Sequence, residues 1–156
     1  MNVNILCVGK IKESFFREAV AEYAKRLTRF CHFEVIEVAE EMLTGEGSKQ
    51  IDNVKEREGD RLLAKCKGTV VALDLKGKQL TSEDFSHMIS DCMTAGESTI
   101  TFVIGGSYGL SPRVIEKAKS SICFGKMTYP HQLMRVILAE QIYRAFMIKE
   151  GSVYHK

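Results

Sequence analysis

Five short runs of apolar and β-branched residues recur along this chain, at residues 3–8, 32–39, 69–75, 98–104 and 121–124, none longer than eight residues. Runs of that length are too short for buried helices, whereas strands of four to eight residues are common. The segments between them carry helical spacing instead. From Glu13 to Phe30, apolar residues fall at Phe15, Ala19, Tyr23 and Leu27, with Phe16, Val20 and Ala24 beside them. Ser48 is placed to cap a helix to about Cys66 with Ile51, Val54, Leu62 and Leu63 inward, and Thr81, Ser82 and Glu83 open another that ends near Gly96. Ser111-Pro112 starts a short helix, since serine caps and proline suits the first turn. A long helix is expected from about His131 to Glu150, after which Gly151 releases a tail. Strands alternating with helices specify an α/β fold with a mainly parallel sheet covered on both faces.

At 156 residues the chain accommodates one well-buried domain, expected over 1–156. The N-terminus has no basic leader before its first apolar run, so it does not read as a secretory signal. No run approaches the roughly 20 apolar residues that span a bilayer, and a soluble, cytoplasmic protein without a membrane partner is expected. The five cysteines are scattered with no C-x-x-C pair, which argues for reduced thiols in a reducing compartment and against a metal site. Net charge is only +2. It is unevenly spread: residues 30–66 hold five Lys/Arg against nine Asp/Glu, between two mildly basic ends. Lys10, Lys12, Lys25, Arg26 and Arg29 could form a modest phosphate-binding patch or simply a solvated helix face.

In an open α/β sheet, ligands collect at the carboxyl ends of strands. Three such ends stand out: Leu73-Asp74-Leu75, the cluster Gly105-Gly106-Ser107-Tyr108-Gly109, and the loop from Phe124 to Tyr129. The glycine cluster lacks the G-x-G-x-x-G order of a dinucleotide site. It does match the G-x-S-x-G of a nucleophile elbow with Ser107 central, but no aspartate follows Asp91, which weighs against a serine esterase. A tight turn needing positive φ is its plain structural alternative. The loop from Phe124 into His131 and Arg135 combines backbone groups with apolar neighbours, as an adenosine-like ligand requires. Glu140 and Arg144, four apart, share a helix face and could be no more than a helical ion pair. The helix that carries them is apolar around its circumference, which suggests an interface with a second subunit. At the tail, Tyr154 and His155 offer a ring that can stack and an imidazole that can titrate, though chain ends commonly fray.

The strings I-L-C-V-G-K-I-K, F-V-I-G-G-S-Y-G-L, F-G-K-M-T-Y-P-H-Q-L-M-R-V-I-L-A-E-Q-I-Y-R-A and a terminal Y-H-K together resemble the ribosomal RNA large subunit methyltransferase H family, from about Asn2 to Lys156. That family belongs to the SPOUT class, so the resemblance implies a C-terminal trefoil knot that cradles S-adenosylmethionine. It implies a homodimer that methylates the ring nitrogen at position 3 of pseudouridine 1915 in 23S rRNA, within assembled ribosomes and without a metal. Carried across by motif, the cofactor would touch Leu73, Gly105, Phe124, Gly125, Lys126, Met127, Thr128 and Tyr129. The catalytic neighbourhood would be His131, Arg135, Glu140, Arg144, Tyr154 and His155, with the tail of one subunit completing its partner's pocket and His155 or Glu140 taking the acceptor's proton. Gly125 and Tyr129 depart from the serine and the leucine or phenylalanine commoner in the family, at positions that act through backbone and shape. A ribosome-associated binding module without activity is the non-enzymatic alternative.

Overall fold

The structure, a computed structural model, describes residues 1–155, the last of them by its backbone alone. The elements run β1 (Asn2–Val8), α1 (Ser14–Leu27), β2 (His32–Val38), α2 (Ser48–Leu63), β3 (Thr69–Gln79), α3 (Ser82–Thr94), β4 (Thr99–Ile104), α4 (Pro112–Lys117), β5 (Ser120–Cys123) and α5 (His131–Lys149), closing in a 3-10 turn at Val153–His155. The strands form one sheet in the order β2-β1-β4-β3-β5, every pair parallel.

The sheet is covered on both faces, as the alternation of strands and helices requires. Val3, Ile5 and Cys7 of β1 face a core built with Leu27 of α1, Phe85 and Ile89 of α3, and Leu138, Ile142 and Phe146 of α5. Leu6 and Val8 point to the opposite side, where Leu62 of α2 and Val114 of α4 complete a smaller core. The two-residue period of a strand sends neighbours to opposite faces, which is why β1 reads as a continuous apolar run. Each fully buried Leu or Ile contributes about 2 kcal/mol of transfer free energy. Leu6, Leu27, Leu62, Leu138 and Ile142 are all at most 1% exposed.

Several boundaries differ from the sequence reading for local reasons. In α2 Gly47, at φ 105°, occupies the N-cap position and Ser48 is the first helical residue, without a side-chain cap bond. Thr81 does cap α3, its hydroxyl oxygen accepting from the Asp84 N–H at 3.1 Å. Ser111 precedes α4 as expected but makes no cap bond. Phe15, expected on the inner stripe of α1, is 59% exposed, and that helix buries Val20 and Leu27. On α2 the buried residues are Val54, Glu58, Gly59 and Leu62, so a carboxylate joins the inner face.

The largest difference is β3, which continues to Gln79. Its pairing with β5 shifts register, so that Ile122 faces Leu73 and then also Lys78, with residues 74–77 arching between. Gly77 makes the arch possible: a Cβ there would lie 2.6 Å from the backbone carbon of Ile122. Its φ is not positive, so the constraint is close approach and not left-handed backbone. Gly77→Ala is expected to lower stability by about 1–3 kcal/mol, the usual size of a forced overpacking, read as a lower urea midpoint at unchanged m-value.

Candidate active site

At the carboxyl ends of β3, β4 and β5 three backbone segments converge on one cavity of about 520 Å³. The first is the exit from the regular part of β3, Leu73, Asp74 and Leu75. The second is the turn after β4. Its Gly109 N–H donates to the Gly106 carbonyl at 3.1 Å, and a Cβ on Gly105 would stand 2.6 Å from the Gly109 carbonyl carbon, so the turn folds onto itself only with glycine there. The third runs from Ile122 through Gly125, at φ 114°, to Pro130 and the first turn of α5. Cys123 ties this last loop, its thiol donating to the Gly125 carbonyl at 2.8 Å. The walls are chiefly apolar, from Leu73, Ile104, Ile122, Phe124, Met127 and Met134, with Asp74, Ser107, Thr128 and His131 as polar side chains. Apolar walls with few polar groups, in a volume of a few hundred Å³, are what a flat nucleoside ring takes.

Of the residues singled out in the sequence, Leu73, Gly105, Phe124, Gly125, Met127, Thr128, Tyr129 and His131 line this cavity. Lys126 is exposed on the same loop and is not among the lining residues. Burial and then the nearby Arg135 guanidinium lower the pKa of His131 below the ordinary imidazole value, so it is neutral at pH 7 and able to accept a proton.

Arg135 does not reach the cavity. Its side chain is 0% exposed, donating to the carbonyls of Val8 at 2.7 Å and Gly9 at 2.9 Å and to Glu37 Oε1 at 3.0 Å. Glu37 Oε1 also accepts from the Ile11 N–H at 3.0 Å. This guanidinium therefore acts on the site through α5, one turn beyond His131.

Glu140, Arg144 and Tyr154 form a separate cluster that does not line the cavity of their own chain. Arg144 donates to Glu140 Oε1 through Nη2 at 2.6 Å and Nε at 2.9 Å, and its guanidinium lies 4.9 Å from the Tyr154 ring centre. The Tyr154 hydroxyl reaches the same oxygen at 3.3 Å, and burial is the main cause of its raised pKa. The side chain of His155 lies outside the described residues. Among the described residues no group of three or more His, Cys, Asp or Glu could hold a metal ion, and no helix is long and apolar enough to cross a membrane.

The family model described as "Predicted SPOUT methyltransferase" matches residues 1–155. The chain belongs to the SPOUT methyltransferases. Within them it is 53% identical to the ribosomal RNA large subunit methyltransferase H of Levilactobacillus brevis, and 52% identical to those of Streptococcus uberis and Clostridium botulinum, the alignments covering all of both chains in each case. Among solved structures it resembles a probable methylase family protein from Haemophilus influenzae, with a TM-score of 0.56 at 10% identity over 99% of this chain and 70% of that one. A tRNA methyltransferase from Aquifex aeolicus matches with a TM-score of 0.52 at 12% identity, over 92% of this chain and 70% of that one. At such identities these two support the SPOUT fold alone.

Among the lining residues not singled out as site residues from sequence are Asp74 and Met134. Asp74 sits in a noted strand end, but a carboxylate after a buried strand carries no motif of its own. Met134 follows His131 at i+3, the spacing that places two side chains on one helix face. Arg135→Ala should destabilise the fold by about 3 kcal/mol, because it leaves Glu37 and two strand-end carbonyls without their donor. Lysine should restore only part of the loss, since one ammonium cannot span all three acceptors; chemical denaturation of both variants measures this.

Proposed function

We propose that this chain is an S-adenosylmethionine-dependent methyltransferase of 23S rRNA, acting on N3 of pseudouridine 1915 in the assembled ribosome. The observation that carries the reading is the convergence of residues 73–75, 104–109 and 122–131 on one apolar cavity at the carboxyl edge of the sheet. The residues present fit the donor. Gly105 and Gly106 leave main chain bare where a side chain would intrude, the 124–129 loop offers backbone groups for a base edge, and the volume suits a nucleoside with a short tail. When bound, S-adenosylmethionine supplies a methyl group on a positively charged sulfur. The trefoil knot is what the family resemblance implies for the C-terminal segments.

The protein's own contribution is alignment and proton handling. Holding acceptor nitrogen, methyl carbon and sulfur in line converts a bimolecular displacement into a unimolecular one. The acceptor nitrogen loses a proton; Glu140, expected to take it, lies off the cavity of its own chain, whereas neutral His131 lines the cavity with Asp74 and is the group assigned this role. Glu140, Arg144 and Tyr154, with His155, complete the site from a second subunit of a homodimer. Leu133, Val136, Ile137, Met147 and Ile148 of α5 are only half-buried in the single chain, which supports an apolar interface on that helix. The chain acts as one domain, in the cytoplasm, where assembled ribosomes are.

Calorimetry should show binding of S-adenosylhomocysteine and none of a nicotinamide dinucleotide. Mass-spectrometric mapping of 23S rRNA from a deletion strain should show the methyl group lost and then regained with the restored gene; donor binding without that change would mark a binding module instead. A fluorophosphonate probe should leave Ser107 unlabelled, and labelling would favour the esterase reading of G-x-S-x-G instead. The sign of the pH dependence follows from His131. Its lowered pKa makes the single-turnover rate flat above neutrality and declining as acid protonates the imidazole below its ordinary range. His131→Ala should lose that acid limb, and a retained limb would remove the assignment.

A further inference from the structure

Glu58, in the middle of α2, is the one carboxylate among the described residues that is buried, at 4% exposed. Burying a carboxylate is costly unless its oxygens are satisfied. Oε1 accepts from the Glu41 N–H at 3.0 Å, whereas Oε2 has no hydrogen-bond partner. That free oxygen is not aimed at solvent. It points to Gly106: a Cβ built on Gly106 would lie 2.8 Å from Oε2 and 3.2 Å from Oε1, with Val8 Cγ1 also at 3.2 Å. Gly106 lines the cavity, and Glu58 does not. Next to it, Gly59 packs so closely on Ser111 that a Cβ would meet its hydroxyl, which anchors α2 against the far end of the same turn.

We propose that Glu58 is a positioning residue for donor binding, its carboxyl bracing the Gly105–Gly109 turn from outside the cavity and so fixing the wall on which the adenosyl group lies. The turn has little else to hold it. Its internal bonds are the single Gly106–Gly109 bridge, and three of its five residues are glycine. A brace on the solvent-remote side limits it to one conformation, and positional error in such a wall translates directly into lost affinity.

The charged groups around this carboxyl are Arg61 on α2 and Glu40 and Glu41 from the segment after β2, with Arg57 engaged by Glu41. Burial raises the Glu58 pKa above the usual carboxylate range; the Glu41 N–H and Arg61 oppose that shift, and the Glu40 and Glu41 charges add to it. A carboxyl whose pKa is higher folded than unfolded supports the fold fully in acid, and that support is lost as pH rises through the folded-state value. Glu58→Gln keeps the shape without titrating. The brace in the unaltered chain should therefore loosen with rising pH over a window in which the glutamine variant stays flat.

The inference rests on the reading of the cavity as the adenosyl site, and titration of the full chain with S-adenosylhomocysteine separates the two. No binding by the unaltered chain overturns that reading and the inference with it. Binding by the unaltered chain that is equally tight in Glu58→Ala overturns the inference alone. Glu58→Ala is expected to weaken binding by about tenfold, equivalent to about 1.4 kcal/mol, raising the donor KM and leaving kcat for the bound complex nearly intact. Glu58→Gln should bind increasingly better than wild type as pH rises through the Glu58 titration. Gly106→Ala, whose methyl group meets the Glu58 oxygens, should also bind weakly, and the Glu58→Ala/Gly106→Ala double variant no worse than the weaker single one. Losses that multiply in the double variant, or a Gly106→Ala chain that binds as tightly as wild type, overturn the proposal, and the Gly106→Ala result holds even where Glu58→Ala fails to fold.

Discussion

One guanidinium ties the last helix of this protein to its first strand. Arg135 is fully buried, and a buried cation is tolerated only where its donors are met. Two strand-end carbonyls, from Val8 and Gly9, and the Glu37 carboxylate of the neighbouring strand meet them. The result fixes the start of α5 relative to the carboxyl ends of β1 and β2. Since His131 and Met134 are on that same turn of helix, the far wall of the cavity inherits its position from this contact. The glycine turn and the 124–129 loop then approach from the other side, and their bare main chain can close on a flat ligand only because α5 does not move. Of the Arg135 nitrogens, Nε alone has no partner among the described residues.

The polar residues that the family resemblance gathers into one neighbourhood lie in two places in the single chain. His131 faces the cavity, whereas Glu140, Arg144 and Tyr154 neutralise one another on the opposite stretch of α5, against Tyr143 and the tail. Arg26 adds its guanidinium 5.8 Å from the Tyr143 ring. A cation, a carboxylate and two rings meeting edge to face are suited to a nucleotide's charge and faces. The proposed homodimer would bring together what one chain keeps apart.

Much of the fold was legible in the sequence. The short apolar runs mark all five strands to within a few residues, and helical spacing or the residues that open a helix mark all five helices. The cavity's three segments were each visible as a strand end followed by glycine or by a helix start, because close approach of main chain leaves that mark. The extension of β3 to Gln79 was not legible: residues 76–79 alternate no apolar side chains, and they are held in the sheet by backbone pairing with β5, more than forty positions away. Glu58 was equally hidden, since a carboxylate on an amphipathic helix reads as solvated until its neighbours are known.

By itself the sequence determined the layer order, the bare turns and, through its long C-terminal motif, the family. Those properties are local: a period, a missing side chain or a contiguous string can be read within a few residues of itself. Only the tertiary structure decided that Arg135 is a buried clamp one turn from the cavity, that Glu58 sits behind the glycine turn, and that the Glu140 cluster lies away from the cavity of its own chain. Burial and charge environment belong to groups that meet across the whole chain, and for a charged side chain the free energy of that meeting, not the residue's identity, sets its role.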